Sequence, residues 1–476
     1  MIRVAREATV KNLNINAPYI KNSAVLGEIY LDYGSDGDYS AGTGGSYQAG
    51  TPDTIDISNV TIKSGSNILK SGFIGEGEGS SGANTINITN CKIEKGVNIG
   101  YDADKQASAG LNSIGSFAGS ISGTINNCWS AATVYGNNSV GGIVGNKSQS
   151  MGFFKISNNA FTGKIIANGN YVGGILGAGY NGGGTAPNTP CVTVTNSYVA
   201  ADISGKDFIG GIVGSEPGTV QSWGNAYIRD NFYYGKITAG ADAQSVGSII
   251  GYMNGLNICS IFENNYYLND CGADKPIGKA KYIDTSAEHG SEPGVIYVNT
   301  AVELPTDENG KRITGFDKKD MNRTDDPLGK DKDKLAQPMT AKQFADGTVL
   351  NLLNSSASSA KNWVQDEKYP VFDGNKVIPL SLTIDGEYKA EYYIGDELDL
   401  SKAVFTLNMS DGSTMKLNLS DIKISGFDTN TRGEQTLTAE YNGLTVEFKV
   451  TVLKKPEQNP GNPGVDPNKI RVYFTL

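Results

Sequence analysis

VGGIVG at Val140–Gly145, VGGILG at Val172–Gly177, IGGIVG at Ile209–Gly214 and VGSIIG at Val246–Gly251 are one phrase written four times. Their starts lie 32, 37 and 37 residues apart. A phrase that returns at such an interval marks a repeat architecture, in which each unit stacks only on its neighbours. Upstream of each phrase is a second landmark. It reads ITNC (Ile88–Cys91), INNC (Ile125–Cys128), ISNN (Ile156–Asn159), VTNS (Val194–Ser197), IRDN (Ile228–Asn231) and FENN (Phe262–Asn265). ISNV (Ile57–Val60) and VKNL (Val10–Leu13) are weaker copies.

Between landmark and phrase lie short alternating stretches such as SYVAADIS and NFYYGKIT, rich in β-branched and aromatic residues and broken by Gly and Asn. Period-two alternation with such breaks reads as strand, and helical spacing is absent over residues 1–270. The expected unit is about three short strands, with seven or eight units stacked. The fold class is therefore all-β: a parallel β-solenoid, expected to be right-handed, with a flat seven-strand sandwich as the alternative. Asn90, Asn127, Asn158 and Asn196 are expected at turns, because Asn tolerates the left-handed conformation and its amide can bond the Asn of an adjacent unit. The pairs Gly141-Gly142, Gly173-Gly174 and Gly210-Gly211, with Gly247 before Ser248, are expected at tight bends between sheet faces. Val172, Ile175 and their counterparts are expected to fill the core. Of five cysteines, Cys91 and Cys128 hold the same place in successive units, and Cys191 and Cys259 each stand three residues before a landmark. The reading is small side chains stacked inside the coil, with a disulfide between stacked units as the alternative.

These phrases and landmarks resemble the bacterial GLUG-motif repeats, closely over about residues 100–270 and loosely over 1–100. The resemblance implies large secreted or cell-wall proteins, adhesins and peptidase-bearing proteins among them, with no chemistry in the repeats themselves.

The solenoid is placed at 1–275. A charge-dense stretch at 276–335 (DKKDMNRTDD, GKDKDK) loses all periodicity and reads as a linker or solvated loop. Residues 336–376 carry a helix signal, PMTAKQFADGTVLNLLN, with Thr340 and Gln343 spaced as a capping box. Trp363, Tyr369 and Phe372 follow. The segment is read as a cover for an open end of the solenoid, with an aromatic ligand patch as the alternative. It also resembles a segment that trails GLUG repeats. Residues 379–453 are a separate all-β unit with hairpin turns at Asp411-Gly412 and Asn442-Gly443 and turn signals suited to a sandwich. Its phrases YIGDELDLS, SGFDTNTRGEQTLTAEYNG and FKVTV resemble the bacterial Ig-like domain of group three, which implies a spacer or adhesive module of surface proteins. Residues 454–476 read as a Pro/Gly linker and the start of a further module, so the chain is read as an internal piece of something longer.

With 40 Lys and Arg against 50 Asp and Glu, the net charge is −10. That balance disfavours nucleic acid and anionic membranes, which select basic surfaces. No apolar run reaches membrane-spanning length. His289 is the one histidine, so a two-histidine zinc site is excluded from this sequence. The solenoid carboxylates Asp102, Asp104, Asp202, Asp207 and Asp242 are scattered, without the pairing that glycosidic acid–base work needs. No catalytic or cofactor-binding residue is assigned. Asp32, Asp36 and Asp38, beside glycines, form a weak Ca²⁺ candidate; a solvated turn is the other reading. The expected role is a non-catalytic adhesin-like or presenting stalk, extracellular or on the bacterial cell surface, with host or cell-wall glycans or glycoproteins as partners. Tyr171, Tyr180, Tyr233, Tyr234, Tyr266 and Tyr267 are candidates for stacking on sugars or for packing between units. A carbohydrate-active enzyme on the β-helix is the alternative, and a pure spacer is a third reading.

Overall fold

The computed structural model describes residues 2–5, 8–30, 54–78, 85–121, 123–147, 154–179, 190–216, 225–254, 261–281, 336–356, 362–410 and 412–455. Asp32, Asp36, Asp38, Tyr180, Cys259, His289 and the final strand expected after 469 lie outside these residues, as does the side chain of Cys191. Two compact units emerge, Met1–Lys376 and Val377–Leu476.

The first unit is a parallel β-solenoid. One turn, or rung, is five short strands rather than about three: Gly123–Asn126, Trp129–Ser130, Thr133–Gly136, Val140–Gly141 and Val144–Lys147. Strands of two to four residues separated by two- or three-residue bends leave too little alternation for the sequence pattern to separate them. Each strand pairs in parallel with its counterparts one rung away. Ile57, Ile88, Ile125, Ile156, Val194 and Ile228 follow one another in register. All six are fully buried, which makes one continuous aliphatic column.

Two kinds of corner turn the chain. At the landmark corner, Asn12, Asn59, Asn90, Asn127, Asn158, Asn196, Asp230 and Asn264 all have positive φ, between 48° and 59°. Asn and Asp are the non-glycine residues that bear this conformation most cheaply. Strand Thr54–Ile62 runs through its corner unbroken, pairing with Thr85–Thr89 before Asn59 and with Lys92–Ile93 after it.

The glycine phrase makes the second corner, between a five-stranded and a nine-stranded sheet. Its glycines are required by close approach. A Cβ on Gly141, Gly173, Gly210 or Gly247 would strike the carbonyl oxygen three residues ahead in the same bend, that of Val144, Leu176, Val213 or Ile250. A Cβ on Gly142, Gly174 or Gly211 would strike the next rung's backbone and the side chain of Phe161, Val199 or Tyr233. The bends stack by main-chain bonds, such as Gly142 N to Gly173 O at 3.1 Å and Ile175 N to Ile212 O at 2.8 Å. Buried peptide groups are thereby paired, as burial demands. Ser116 and Ser248 take the second glycine's place in two rungs, fully buried, and each hydroxyl donates to a carbonyl of the next rung, that of Gly142 or Lys275. Val140, Val172 and Ile209, with Ile143, Ile175 and Ile212, line the interior.

The solenoid extends past the expected boundary at 275. Ile277–Lys281 pairs with the strand Ile250–Asn254, because Ile277-Gly278 repeats the aliphatic–glycine end of the phrase. Strand Ala336–Met339 then pairs in parallel with Asn265–Leu268. The helix signal resolves into two helices, Ala341–Ala345 and Thr348–Ser355, divided at Gly347 with φ 87°. The Thr340–Gln343 capping box closes the first. The Asp346 carboxylate accepts from Thr348 N at 3.1 Å at the start of the second.

The second unit is a sandwich of a three-stranded and a four-stranded sheet. Leu382, Phe405 and Leu407 from one sheet share a core with Tyr392, Leu437, Ala439, Phe448, Val450 and Val452 from the other. Asn442 and Gly443, at φ 48° and 84°, turn the hairpin that joins Gly433–Tyr441 to Leu444–Leu453.

Candidate functional site

Four of the five solenoid carboxylates singled out in the sequence have partners within the solenoid. Asp102 is buried, accepts from the Tyr19 hydroxyl at 3.0 Å and pairs with Lys105 at 3.2 Å. Asp104 pairs with Lys21 at 2.8 Å. Asp202 accepts from Lys236 N, and Asp207 from the amides of Phe208, Gln244 and Ser245. Asp242 is exposed. Among the described residues, no group of three or more His, Cys, Asp or Glu is placed to hold a metal ion.

The landmark asparagines do two jobs. At the corner itself, Asn127 Nδ2 donates to Asn90 Oδ1 at 2.7 Å and Asn59 Nδ2 to Asn12 Oδ1 at 3.1 Å, whereas Asn158 reaches Asn126 Oδ1 at 2.8 Å. Asn196 is buried at its corner. The next residue points inward and builds a buried polar column of Cys91, Cys128, Asn159, Ser197, Asn231 and Asn265. Each side chain accepts from the main-chain N–H of the preceding rung: Cys128 Sγ from Cys91 N (3.4 Å), Asn159 Oδ1 from Cys128 N (2.8 Å), Ser197 Oγ from Asn159 N (3.1 Å), Asn231 Oδ1 from Ser197 N (3.0 Å) and Asn265 Oδ1 from Asn231 N (3.3 Å). Cys91, Cys128 and Cys271 are buried free thiols. Burial pushes the Cys128 thiol well up, while its bond to Cys128 lowers that of Cys91.

The candidate tyrosines fall into three groups. Tyr233 and Tyr267 point into the core. Tyr234 and Tyr266 stand on the outside of the landmark face beside Tyr198 and Phe232, which were not candidates, and rings of the 336–376 segment meet Tyr198, Phe232 and Tyr234. Tyr198 lies 5.8 Å from Trp363 and 5.5 Å from Phe372, and Tyr234 lies 5.1 Å from Phe344 and 5.0 Å from Tyr369. Burial raises the phenols of Tyr198 and Tyr233 and pushes that of Tyr266 up to about 12. Trp363 and Phe372 are themselves buried, so these rings form a packed joint.

Tyr171 differs. With Phe208 and Tyr252 it forms a half-buried column on the outside of the glycine corner. The Tyr171 and Phe208 rings stack at 4.9 Å and 13°, and Tyr252 meets Phe208 edge-on at 5.2 Å and 62°. Burial first, and Tyr171 second, raise the Tyr252 phenol. Phe208 and Tyr252 carry no sequence signal as a site; only the register, which sets Tyr171 beside Phe208, brings them together.

In the second unit, the phrases noted in the sequence close its loops. Asp396 accepts from Tyr393 N and pairs with Lys389 at 3.2 Å, the Tyr392 hydroxyl donates to Asp399 O, and Asp428 gathers Asn430 N and the Thr431 hydroxyl. Residues 385–452 match the bacterial Ig-like domain family, group 3. The bacterial Ig-like domain is thus a compact sandwich behind the solenoid in sequence. Two relatives match parts of the chain. Pectate lyase L of Thermoclostridium stercorarium is 42% identical over 67 residues, 14% of this chain and 5% of that protein. Exo-beta-1,6-galactobiohydrolase of Bifidobacterium longum subsp. longum is 35% identical over 102 residues, 18% of this chain and 7% of that protein. The chain therefore spans less than a tenth of either relative. The solution structure of a presumed surface protein is 33% identical, covering 18% of this chain and 98% of that one, with a TM-score of 0.13. Among the described residues, no helix is long and apolar enough to cross a membrane.

Proposed function

We propose that this chain is a non-catalytic, adhesin-like segment of an extracellular or surface-displayed bacterial protein: a GLUG-type solenoid that binds glycan or glycoprotein, carried with an Ig-like module. The observation that carries this reading is the match of residues 385–452 to the bacterial Ig-like domain, in one chain with a repeat solenoid. The glycan-directed names of the two partial relatives support the substrate class. A solenoid suits the role because stacked rungs repeat the same outer positions along the axis, giving extended binding faces. The engagement of Asp102, Asp104, Asp202 and Asp207 in backbone turns and ion pairs favours binding over turnover.

The second reading, part of a carbohydrate-active enzyme, is favoured by the same two relatives. One experiment separates them. The purified chain is passed over immobilised galactan, pectin and mucin while released reducing sugar is assayed. Saturable retention without product is the expected result. Reducing sugar released by the chain would establish the enzyme reading, and no retention on any glycan would leave a spacer.

A further inference from the structure

On the outside of the landmark face, Tyr198, Phe232 and Tyr266 follow one another in register over three successive rungs, and Gln337 of strand Ala336–Met339 comes next. After Met339 the chain does not go on winding. It turns back over rungs already made. Phe344 meets Phe232 at 5.4 Å, one rung before Tyr266. Trp363 and Phe372 meet Tyr198, two rungs before it, and the Asn375 side chain reaches the Tyr198 phenol. Tyr369 spans both rungs, 6.2 Å from Tyr198 and 6.1 Å from Phe232. The solenoid unit ends at Lys376, next after Asn375, and the second unit begins at Val377.

Rungs hold one another by main-chain ladders, whereas this returning segment lacks one. Among the described residues, its main-chain bonds beyond Met339 are its own, as in Phe344 N to Thr340 O, Asp373 N to Asn362 O and the pairing of Trp363–Gln365 with Pro370–Phe372. Rings fasten it to the coil, together with a bond from Asn264 Nδ2 to Ser356 Oγ at 3.1 Å. Its seat is imperfect. Asn354 Oδ1, Trp363 Nε1 and Gln365 Oε1 are shielded from water and have no partner. Each is unfavourable where it stands and would gain a partner from water on release.

The covalent path decides what a pull does. Tension arriving from beyond Lys376 enters the coil at the rung of Tyr198 and not at its end. While the joint holds, the rung of Tyr266 and strand Ala336–Met339 lie outside the load. Once the joint opens, the load passes to that strand and the end of the coil can peel. We propose that residues 340–375 are a force-released clasp, which takes tension from the chain after Lys376, shields the end of the coil from it and lets go in one piece before any rung unwinds. Its use rests on the reading above of a surface-displayed chain. Its mechanism rests on the topology, so glycan retention and behaviour under load can fail separately.

The test is single-molecule pulling on the full chain, held at its C-terminus and through an azide side chain introduced at Lys164, which is exposed in the rung of Ala160. The clasp predicts a first coil step of about 36 residues, at most roughly 120 Å, ahead of the longer steps of the rungs. The sandwich gives a separate, longer step as a reference. Tyr369→Ala removes the ring that meets Tyr198, Phe232 and Tyr234. It should release the clasp at least about tenfold faster at a given force. Glu367→Ala, exposed on the same segment, should release it at the wild-type rate. Hydrogen exchange without load decides the matter if Tyr369→Ala is too poorly folded to pull. It should quicken exchange in the two helices and at Trp363–Gln365, and leave Phe154–Ser157 as in the wild type. Rung steps that precede or merge with the short one, an unchanged release rate in Tyr369→Ala, or exchange quickened alike in both places overturns the clasp.

Discussion

In the unit ending at Lys376, nearly every buried group finds its partner one rung away. Ile156 lies between Ile125 and Val194, and Asn159 between Cys128 and Ser197. In the unit beginning at Val377, Leu407 and Leu437 come from facing sheets, and the core closes only when both are complete. The solenoid is thus a one-dimensional sum of neighbour contacts, whereas the sandwich is one cooperative block. A defect in the solenoid should act where it lies, and a defect in the sandwich should act on the whole of it.

Substitutions in the full chain, followed by denaturant unfolding, test this difference. The largest effect is expected from Gly174→Val, whose Cβ meets Gly211 O and the Val199 side chain. It should cost more than about 4 kcal/mol, melting its own and the adjacent rungs first and so splitting or broadening the solenoid transition while sparing that of the sandwich. Gly374→Ala, where an added Cβ meets nothing within 4 Å, is its control. Leu437→Ala should cost about 2–5 kcal/mol and lower the sandwich transition alone; a shift of both transitions would mean the units are not independent. Asn231→Ala strands Ser197 N and Val194 O, and about 2 kcal/mol is expected. Hydrogen exchange should then accelerate at adjacent rungs and not at distant ones. Asn127→Ala, at an exposed corner with φ 53°, should cost about 1 kcal/mol; an unchanged midpoint would show that the corner tolerates any residue.

The corners were legible in the sequence because each is made by a residue type with a special backbone: Asn90 and Asn127 for positive φ, Gly142 and Gly174 for close approach. What was not legible follows from the same physics. IGSFAG at Ile114–Gly119 is a further copy of the phrase, hidden because Ser116 and Phe117 replace its second glycine and isoleucine. It also breaks the period, since only Ser122 separates its rung from the next, where residues 148–153 intervene one rung later. The inward column mixes Cys, Asn and Ser, which share no hydrophobic pattern and are united only by accepting one N–H. The Tyr171–Phe208 column was hidden because nothing in a sequence announces an aromatic residue with positive φ. The second unit was easier to read, since its alternation and its Asn442-Gly443 turn are local.

The inward column also has a direction. Cys128, Asn159, Ser197, Asn231 and Asn265 each accept a main-chain N–H from the rung before their own. A nascent chain emerging from its N-terminus therefore always ends in an amide that only later residues can quiet. Synthesis order and bonding order coincide, so the coil closes behind itself as it grows. A chain halted between Asn231 and Asn265 would expose a seam ready to accept a neighbour's residue instead of its own.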